Sequence, residues 1–497
     1  MPLISGQTMI SIMRLTILLA LTCSLSFGQK AESIYVHTDK ETYFPGEILW
    51  FKVYAVHTED LTPVKASSVA YLDLIDSRGT SVLQNKIETG EATRNGGSVF
   101  IPQRLASGTY TLVGSTLKAD RSFTKKIVVL NPFAILDTLT LPPKNTYTVR
   151  FFPEGGTLVK GIETRVGYKV SDAYGKGVKA SLQLPDGATS VSNSMGIGSF
   201  RVKPAAGDPG AGAPAAAMKV KVRLPDGREL EQPLPPVAES GYVLNAEDKG
   251  EQYFVKVTST PDRAGESLTL VAESPDGKQV QYAVTLGATG AAAHSLPIAK
   301  LPEGTSRLTL LQANGAPVAE RILFRYPQKA LRLQLALNKE TFSPRQEVVL
   351  SLKQMTQDAA LRADISVSVK RIDDVQRPSD ENIRSYLYLR KDLAGEIENP
   401  DYYFSETENR KTDLDNLLLT HGWRKFKNTG VEGEERYHLV RIRYTDKTSG
   451  APQAGREAIL SVPVKAPMIY TAVTDAGGGA HFLVENMFGT PHLATRP

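Results

Sequence analysis

Residues Tyr35 to Lys52 read YVHTDKETYFPGEILWFK and constrain the fold more than any other stretch. An alternating strand runs into Pro45-Gly46 and resumes as the apolar run Ile48-Leu49-Trp50-Phe51. Two short strands around a Pro-Gly turn are a β-sandwich signal when many similar units follow. A weaker copy returns at Leu337 to Leu352, LNKETFSPRQEVVLSL. Lys40-Glu41-Thr42-Tyr43 matches Lys339-Glu340-Thr341-Phe342, and Pro45 matches Pro344, an offset of 299 residues (339 − 40). That interval is too long for a solenoid period and suits two related domains in an array.

The chain has 497 residues, room for roughly three to five domains of ~100–150 residues. Forty Gly and 30 Pro, spread through short Val/Thr/Leu runs, favour strands over helices. The net charge of +5 is not gathered into any Lys/Arg block, so nucleic acid is not an expected partner.

Residues 1–28 read as a secretory signal peptide. Arg14 precedes the apolar run Leu15 to Leu25, and Ser26-Phe27-Gly28 supplies small residues before a cleavage at Gln29. A run of this length fits an export signal, whose core is ~7–15 residues, better than a spanning helix of ~20. Cys23 is the one cysteine, and Ala20-Leu21-Thr22 before it makes a poor lipobox. The mature protein therefore has no disulfide, and each domain must be held by its own core. No later segment is long and apolar enough to cross a bilayer as a helix.

Strand patterns then follow one another. Residues 33–131 hold about seven, among them Val69 to Ile75, Val99 to Ile101 and Thr109 to Val113, enough for one sandwich. A second unit, 146–238, opens on Val149 to Phe152 and turns at Gly155-Gly156, where positive φ is expected. Its stretch 204–217, PAAGDPGAGAPAAA, reads as a flexible loop. A third sandwich is expected over 241–326, with hairpin turns at Asp276-Gly277 and Asn314-Gly315. A fourth unit, 330–427, starts at the repeated motif and continues with the strand Ile365 to Val369. Inside it the period changes to that of helices over 378–426. Ser379 is the expected cap of the first, and Ile383, Tyr386 and Leu387 share one side. Thr412 or Asp413 is the expected cap of the second, with Leu414, Leu417, Leu418 and His421 as its stripe and Trp423 near its end. A partial sandwich over 436–497 closes the chain and reads as cut short relative to a longer parent.

The motif at Tyr35 to Lys52 resembles the opening of the macroglobulin domain that sits second in α-2-macroglobulin-like proteins. Ala363 to Val369 resembles a strand of a later macroglobulin domain in that family. Phe151 to Gly156 (FFPEGG), Met195-Gly196, Ile397 to Pro400 with Tyr402-Tyr403-Phe404, and Leu417 to Phe426 (LLLTHGWRKF) resemble a group of secreted Bacteroidetes proteins. Those carry macroglobulin domains, a carboxypeptidase-regulatory-like sandwich, to which Tyr470 to Val484 is similar, and often a TonB-receptor plug-like region. The resemblance implies an all-β fold of tandem macroglobulin/fibronectin-like β-sandwich domains with a small helical insert near 378–426. It also implies an exported chain, in the periplasm or on the outer cell surface. Thioester-bearing members of the family need a Cys that the mature chain lacks, so covalent capture is excluded. A bait segment, if there were one, would fall in 378–426, although its caps and aromatic anchors read as ordered.

The sequence carries few signatures of chemistry. There is no helical His pair at i, i+4, no Gly-Lys-Ser/Thr phosphate loop and no Gly-x-Ser-x-Gly elbow. His37, His57 and His421 have no second ligand at metal-binding spacing and read as packed or surface residues. Asp373-Asp374 and Glu432, Glu434, Glu435 read as solvated turns, and Asp39, Lys40 and Glu47 as the polar side of an amphipathic strand. No catalytic, cofactor-binding or metal residue is expected. Two functions lead, a non-catalytic envelope binding or scaffold protein holding an outer-membrane component or another protein, and a thioester-independent endopeptidase inhibitor; an enzyme with an unrecognised site stands far behind them.

Overall fold

The computed structural model describes residues 31–64, 68–77, 79–89, 95–116, 122–133, 146–204, 218–328, 333–355, 364–422, 437–446, 449–462, 468–485 and 494–496. The segment 1–28, loop residues 205–217, Trp423 and the Glu432–Glu435 run lie outside them.

Within 31–133 the strands are β1 (Glu32–Thr38), β2 (Thr42–Tyr43), β3 (Ile48–His57), β4 (Ser68–Ile75), β5 (Ser81–Thr89), β6 (Gly96–Phe100), β7 (Gly108–Thr116) and β8 (Phe123–Val129). They form one sheet of order β1-β3-β6 facing another of order β2-β8-β7-β4-β5. The lead motif straddles both layers: β1 and β3 pair in the first sheet, while β2, between them, pairs with β8 in the second. Period-two alternation sends Ile34, Val36, Leu49, Phe51 and Val53 inward, all within 6% of full burial. Opposite them lie Leu72, Phe123 and Ile127.

Residues 146–238 form the sheets β14-β11-β9 and β13-β12-β15-β16 and a short parallel pair, β10 with β17. Here β9 is Tyr147–Pro153, β10 Leu158–Val159, β11 Thr164–Asp172, β12 Ser181–Gln183 and β13 Thr189–Val191. The others are β14 (Ile197–Val202), β15 (Lys219–Arg223), β16 (Glu229–Pro233) and β17 (Val237–Ala238). Residues 241–328 stack β18-β19-β22 on β21-β20-β23-β24. Their ranges are Tyr242–Asp248 (β18), Gln252–Ser259 (β19), Ser267–Glu273 (β20), Gln279–Thr285 (β21), Ala291–Pro297 (β22), Gly304–Gln312 (β23) and Pro317–Arg325 (β24). Each unit has its own cluster of buried residues, as a chain without disulfides requires.

The repeated motif forms β25 (Leu333–Leu337) and β26 (Leu350–Gln354), paired antiparallel. The expected further strand at Ile365 to Val369 is not formed: these residues have no regular secondary structure and pair with no strand among the described residues. Their polar neighbours are taken instead by the first unit, Ser366 Oγ by His37 at 2.6 Å and by Tyr54 at 2.7 Å, and Asp364 by Lys52. Among the described residues, 333–377 therefore form a single two-stranded sheet where a whole sandwich was expected. Helix α1 is Ile383–Tyr388 and α2 is Arg410–His421. The caps differ from expectation. Asn382, not Ser379, caps α1, accepting from the Arg384 and Ser385 amides at 2.9 and 3.2 Å. The second helix begins after Asn409, ahead of Thr412 and Asp413, because Asp413 is engaged by Tyr402 at 2.5 Å and Asn193 at 3.1 Å. At the C-terminal end β27 (Tyr437–Arg443) pairs with β30 (Gly479–Glu485), and β28 (Glu457–Val462) lies between β29 (Met468–Val473) and β31 (Ala494–Arg496).

Candidate functional site: a helical clamp across three units

The helical stretch does not close the fourth unit. It packs against the first three. Tyr386 of α1 sits 5.5 Å from the Tyr35 ring and 5.0 Å from Phe123, inside the first core. One turn later, Asp392 accepts from Thr305 of the third unit at 3.0 Å. Asn399 takes φ 46° and lets Pro400 open a 3-10 turn, Pro400–Phe404, which swings Tyr403 and Phe404 inward. The Tyr403 hydroxyl meets Met195 of the second unit, and Phe404 packs edge-on to Phe324 of the third.

Helix α2 is buried on nearly every side of its last two turns, from Asn416 to His421. It lies so close to β11 that a Cβ at Gly167 would stand 2.8 Å from Leu419 Cβ. Leu389, Tyr403 and Leu417 are fully buried in this seam. Each such side chain stabilises by about 1.5–3 kcal/mol in gross transfer terms. An exposed pair such as Lys126–Glu396 adds at most about 1 kcal/mol. Packing, not surface charge, therefore fixes the clamp.

At the centre of the seam is a buried ion network. Glu154, from the FFPEGG run, accepts from Arg321 Nε at 3.0 Å, from Asn245 Nδ2 at 2.8 Å and from the Ala246 amide at 3.2 Å. The turn that presents it needs Gly155 at φ 80°, with the Leu244 amide 3.1 Å from where a Cβ would sit. Arg321, only 3% exposed, also binds Asp415 of α2, which is held in turn by Arg165 of the second unit. Burial acts to raise the Asp415 carboxyl, but Arg321 and Arg165 hold it below the usual range. One guanidinium thus joins the second unit, the third unit and the helix. Removing a single member of a buried pair costs about 3–5 kcal/mol, because it strands the other charge.

His421 closes the helix. Thr420 Oγ1 donates to the Asn416 carbonyl at 3.1 Å and lies 2.9 Å from His421 Nδ1. His421 Nε2 lies 3.2 Å both from the Glu396 carbonyl, to which it can only donate, and from Lys169 Nζ, from which it can only accept, so these two partners select opposite tautomers. Burial, and then the Lys169 charge, push the imidazole down to about 4. At the other end Glu381 is pushed up to about 7 by burial, against the pull of Arg390, which pairs with it at 3.0 Å.

The other singled-out residues fall into structural places. Asp39 accepts from the Trp50 amide at 2.9 Å and from the Tyr43 hydroxyl at 2.6 Å, so it organises the hairpin from within. Lys40 and Glu47 pair at 2.7 Å. Asp373 caps a turn through the Val375 and Gln376 amides. His37 lies against Ser366, and His57 pairs in register with Glu32. No group of three His, Cys, Asp or Glu that could hold a metal ion occurs among the described residues, and no helix there is long and apolar enough to cross a membrane. Of the seam's ions only Glu154 lies in a stretch that the sequence singles out, and nothing in the sequence shows that the four meet. Glu154, Arg165, Arg321 and Asp415 are isolated charges in the sequence.

No family profile and no curated protein matches the sequence. Solved structures to which the chain is similar include Escherichia coli alpha-2-macroglobulin activated by porcine elastase, at 10% identity and a TM-score of 0.23, over 92% of this chain and 41% of that one. Dimeric latent PorU from Porphyromonas gingivalis aligns at 11% identity and a TM-score of 0.24, over 60% of this chain and 34% of that one. A tetra-tandem repeat from the extending region of a large adhesion protein aligns at 10% identity and a TM-score of 0.17, over 94% of this chain and 99% of that one. The chain thus spans less than half the length of the first two.

Proposed function

We propose that the chain is an exported, non-catalytic binding or scaffold protein of the cell envelope, built of macroglobulin-like β-domains and placed in the periplasm or on the outer cell surface. The clamp carries this reading. Residues 382–422 spend their apolar side chains and their ions on fastening three β-units into one array, which suits presenting fixed surfaces to a protein partner. The alternative, a thioester-independent endopeptidase inhibitor of the α-2-macroglobulin kind, needs an accessible cleavable segment. The stretch where such a bait would fall holds Tyr403 and Leu417 at 0% exposure. Incubation with proteases of differing specificity, with cut sites mapped and protease activity read on large and small substrates, separates the two. Cuts outside 382–422 with protease activity retained are expected. Selective cleavage within that stretch with loss of activity on large substrates overturns the reading in favour of the inhibitor. Affinity capture from envelope extracts then identifies the partner.

A further inference from the structure

The third unit leaves a long sheet edge bare. Two bonds frame the β20–β21 hairpin and fix which amides point where. Ser274 N donates to the Lys278 carbonyl at 2.9 Å at one end, and Leu286 N to the Glu266 carbonyl at 2.9 Å at the other. Antiparallel pairs alternate between bonded and non-bonded. In the register Ala272↔Val280, Leu270↔Tyr282 and Leu268↔Val284, these three residues of β21 therefore bond to β20. Gln279, Gln281, Ala283 and Thr285 turn their N–H and C=O groups the other way, and no strand pairs with them there among the described residues. All four are exposed. Long edge strands elsewhere carry a guard against pairing: β5 has Lys86 and Glu88, β16 has Glu229 and Glu231, β9 has Arg150, and β22 ends on Pro297. Helix α2 packs against β14 and β24. By contrast β21 reads QVQYAVT, seven residues with no charge, no proline and no break in register.

We infer that β21 takes an extended segment of a partner protein, apolar at alternate positions, as a further strand of its sheet. The inference rests on the scaffold reading and names the surface that does the holding. In strand addition the main-chain bonds supply affinity, and the flanking side chains set what is accepted. Inward-turned side chains of the added strand lie beside Val280, 40% exposed, and the half-buried Tyr282, with no counter-ion on either. A charge there would lose water without gaining a partner, so those positions are apolar. Side chains on the outer face lie beside Gln279 and Gln281 and stay in water, so that face is permissive. The edge starts beside the first unit, where Lys278 pairs with Glu59. One added strand needs only ~4.8 Å of room. A second copy paired antiparallel would have to seat its own first unit at the Thr285 end, which favours a single segment as the occupant.

Hydrogen exchange resolved to single amides, on the full chain with an end-capped peptide of sequence QVQYAVT, tests this. The peptide is expected to slow exchange at Gln279, Gln281, Ala283 and Thr285, and to leave Val280, Tyr282 and Val284, already bonded to β20, unchanged. In the peptide, Tyr282→Glu should abolish the effect and Gln281→Glu should not. In the chain, Gln281→Pro removes an outward N–H and leaves every bond to β20 in place. It should raise the peptide Kd at least about tenfold, with unchanged protection of Val280 and Tyr282 showing that the variant is folded. Slowing at all seven amides alike, or at none, overturns the inference. Slowing that grows with chain concentration in the absence of peptide makes a second copy the occupant and overturns it too. An envelope protein retained equally by the native and Gln281→Pro chains also overturns it while leaving the scaffold reading intact, whereas loss of protease activity on large substrates removes that reading whatever the edge binds.

Discussion

The two motif copies are a controlled comparison inside one chain, because their local bonds agree almost one for one. Asp39 N donates to the Trp50 carbonyl at 3.0 Å, and Asn338 N to the Val349 carbonyl at 3.1 Å. The Trp50 amide returns to Asp39 Oδ1 at 2.9 Å, and the Val349 amide to Asn338 Oδ1 at 3.1 Å. The Phe44 amide finds Glu47 Oε2 at 2.8 Å, and the Ser343 amide finds Gln346 Oε1 at 3.0 Å. Only the surroundings differ. These local bonds therefore specify the hairpin by themselves, while its burial is decided by strands far away in sequence.

The largest test of that separation exchanges equivalent core positions. Ile34→Ala removes a side chain packed in the first core and is expected to cost about 2–5 kcal/mol. The matching change, Leu333→Ala, stays within about 0.5 kcal/mol. Hydrogen exchange read separately in β1 and β25 checks both, since a chain of several units does not unfold in one step. Equal losses at both sites would mean that the second copy is covered after all.

A second test addresses the clamp that follows the second copy. His421 is held near 4 by burial and Lys169, below its ordinary 6.5. The folded state then binds fewer protons than the unfolded one between those values, so stability from this group is present above 6.5 and is lost as pH falls toward 4. A shift of this size corresponds to on the order of 3 kcal/mol. Glu381, raised from 4.5 to about 7, has the opposite sign: its folded state binds more protons, and stability falls as pH rises from 4.5 to 7. The difference between the native chain and His421→Gln isolates the first effect. Acidification from neutral pH should release α2, measured by exchange at Leu417 to Thr420, and the substituted chain should respond less steeply.

Helix and strand types were legible in the sequence wherever a local pattern determined them. Gly155-Gly156 takes the positive φ expected of it, and Leu414, Leu417, Leu418 and His421 are buried as expected, although Asn416, Leu419 and Thr420 beside them are buried too, so the last turns of α2 have no single stripe. What failed was non-local. Ile365 to Val369 alternates like a strand but pairs with no strand among the described residues. Ser379 was a plausible cap, but Asn382 sits where Asp401 can also bond its side chain, at 2.7 Å. The seam stayed hidden for the same reason. Glu154 and Arg321 are 167 residues apart, and no periodicity links a glutamate before a glycine turn to an arginine on a strand.

A third, smaller contrast lies in the Asx position. Asp39→Ala removes a charged acceptor serving two donors and should cost about 1.5–3 kcal/mol, while Asn338→Ala removes a neutral acceptor serving one and should cost about 0.5–1.5 kcal/mol. Exchange at the Trp50 and Val349 amides reports each directly. A result in the reverse order would show that the exposed hairpin relies on its local bond more than the buried one does.

The smallest effect has opposite signs in the two copies. Gly46 stands at φ 93° and its counterpart Arg345 at φ 64°, the same turn position filled by a residue that tolerates it and by one that does not. Nothing lies within 4 Å of a Cβ built at Gly46, so Gly46→Ala costs only the left-handed strain, about 1–2 kcal/mol. Arg345→Gly relieves that strain but gives the unfolded chain more freedom, which returns about 0.5–1 kcal/mol, and the net gain is below about 1 kcal/mol. Local opening free energies from exchange in each turn should therefore move in opposite directions. If both substitutions destabilise, the Arg345 side chain is contributing a contact of its own, and the second hairpin is less bare than its exposure indicates.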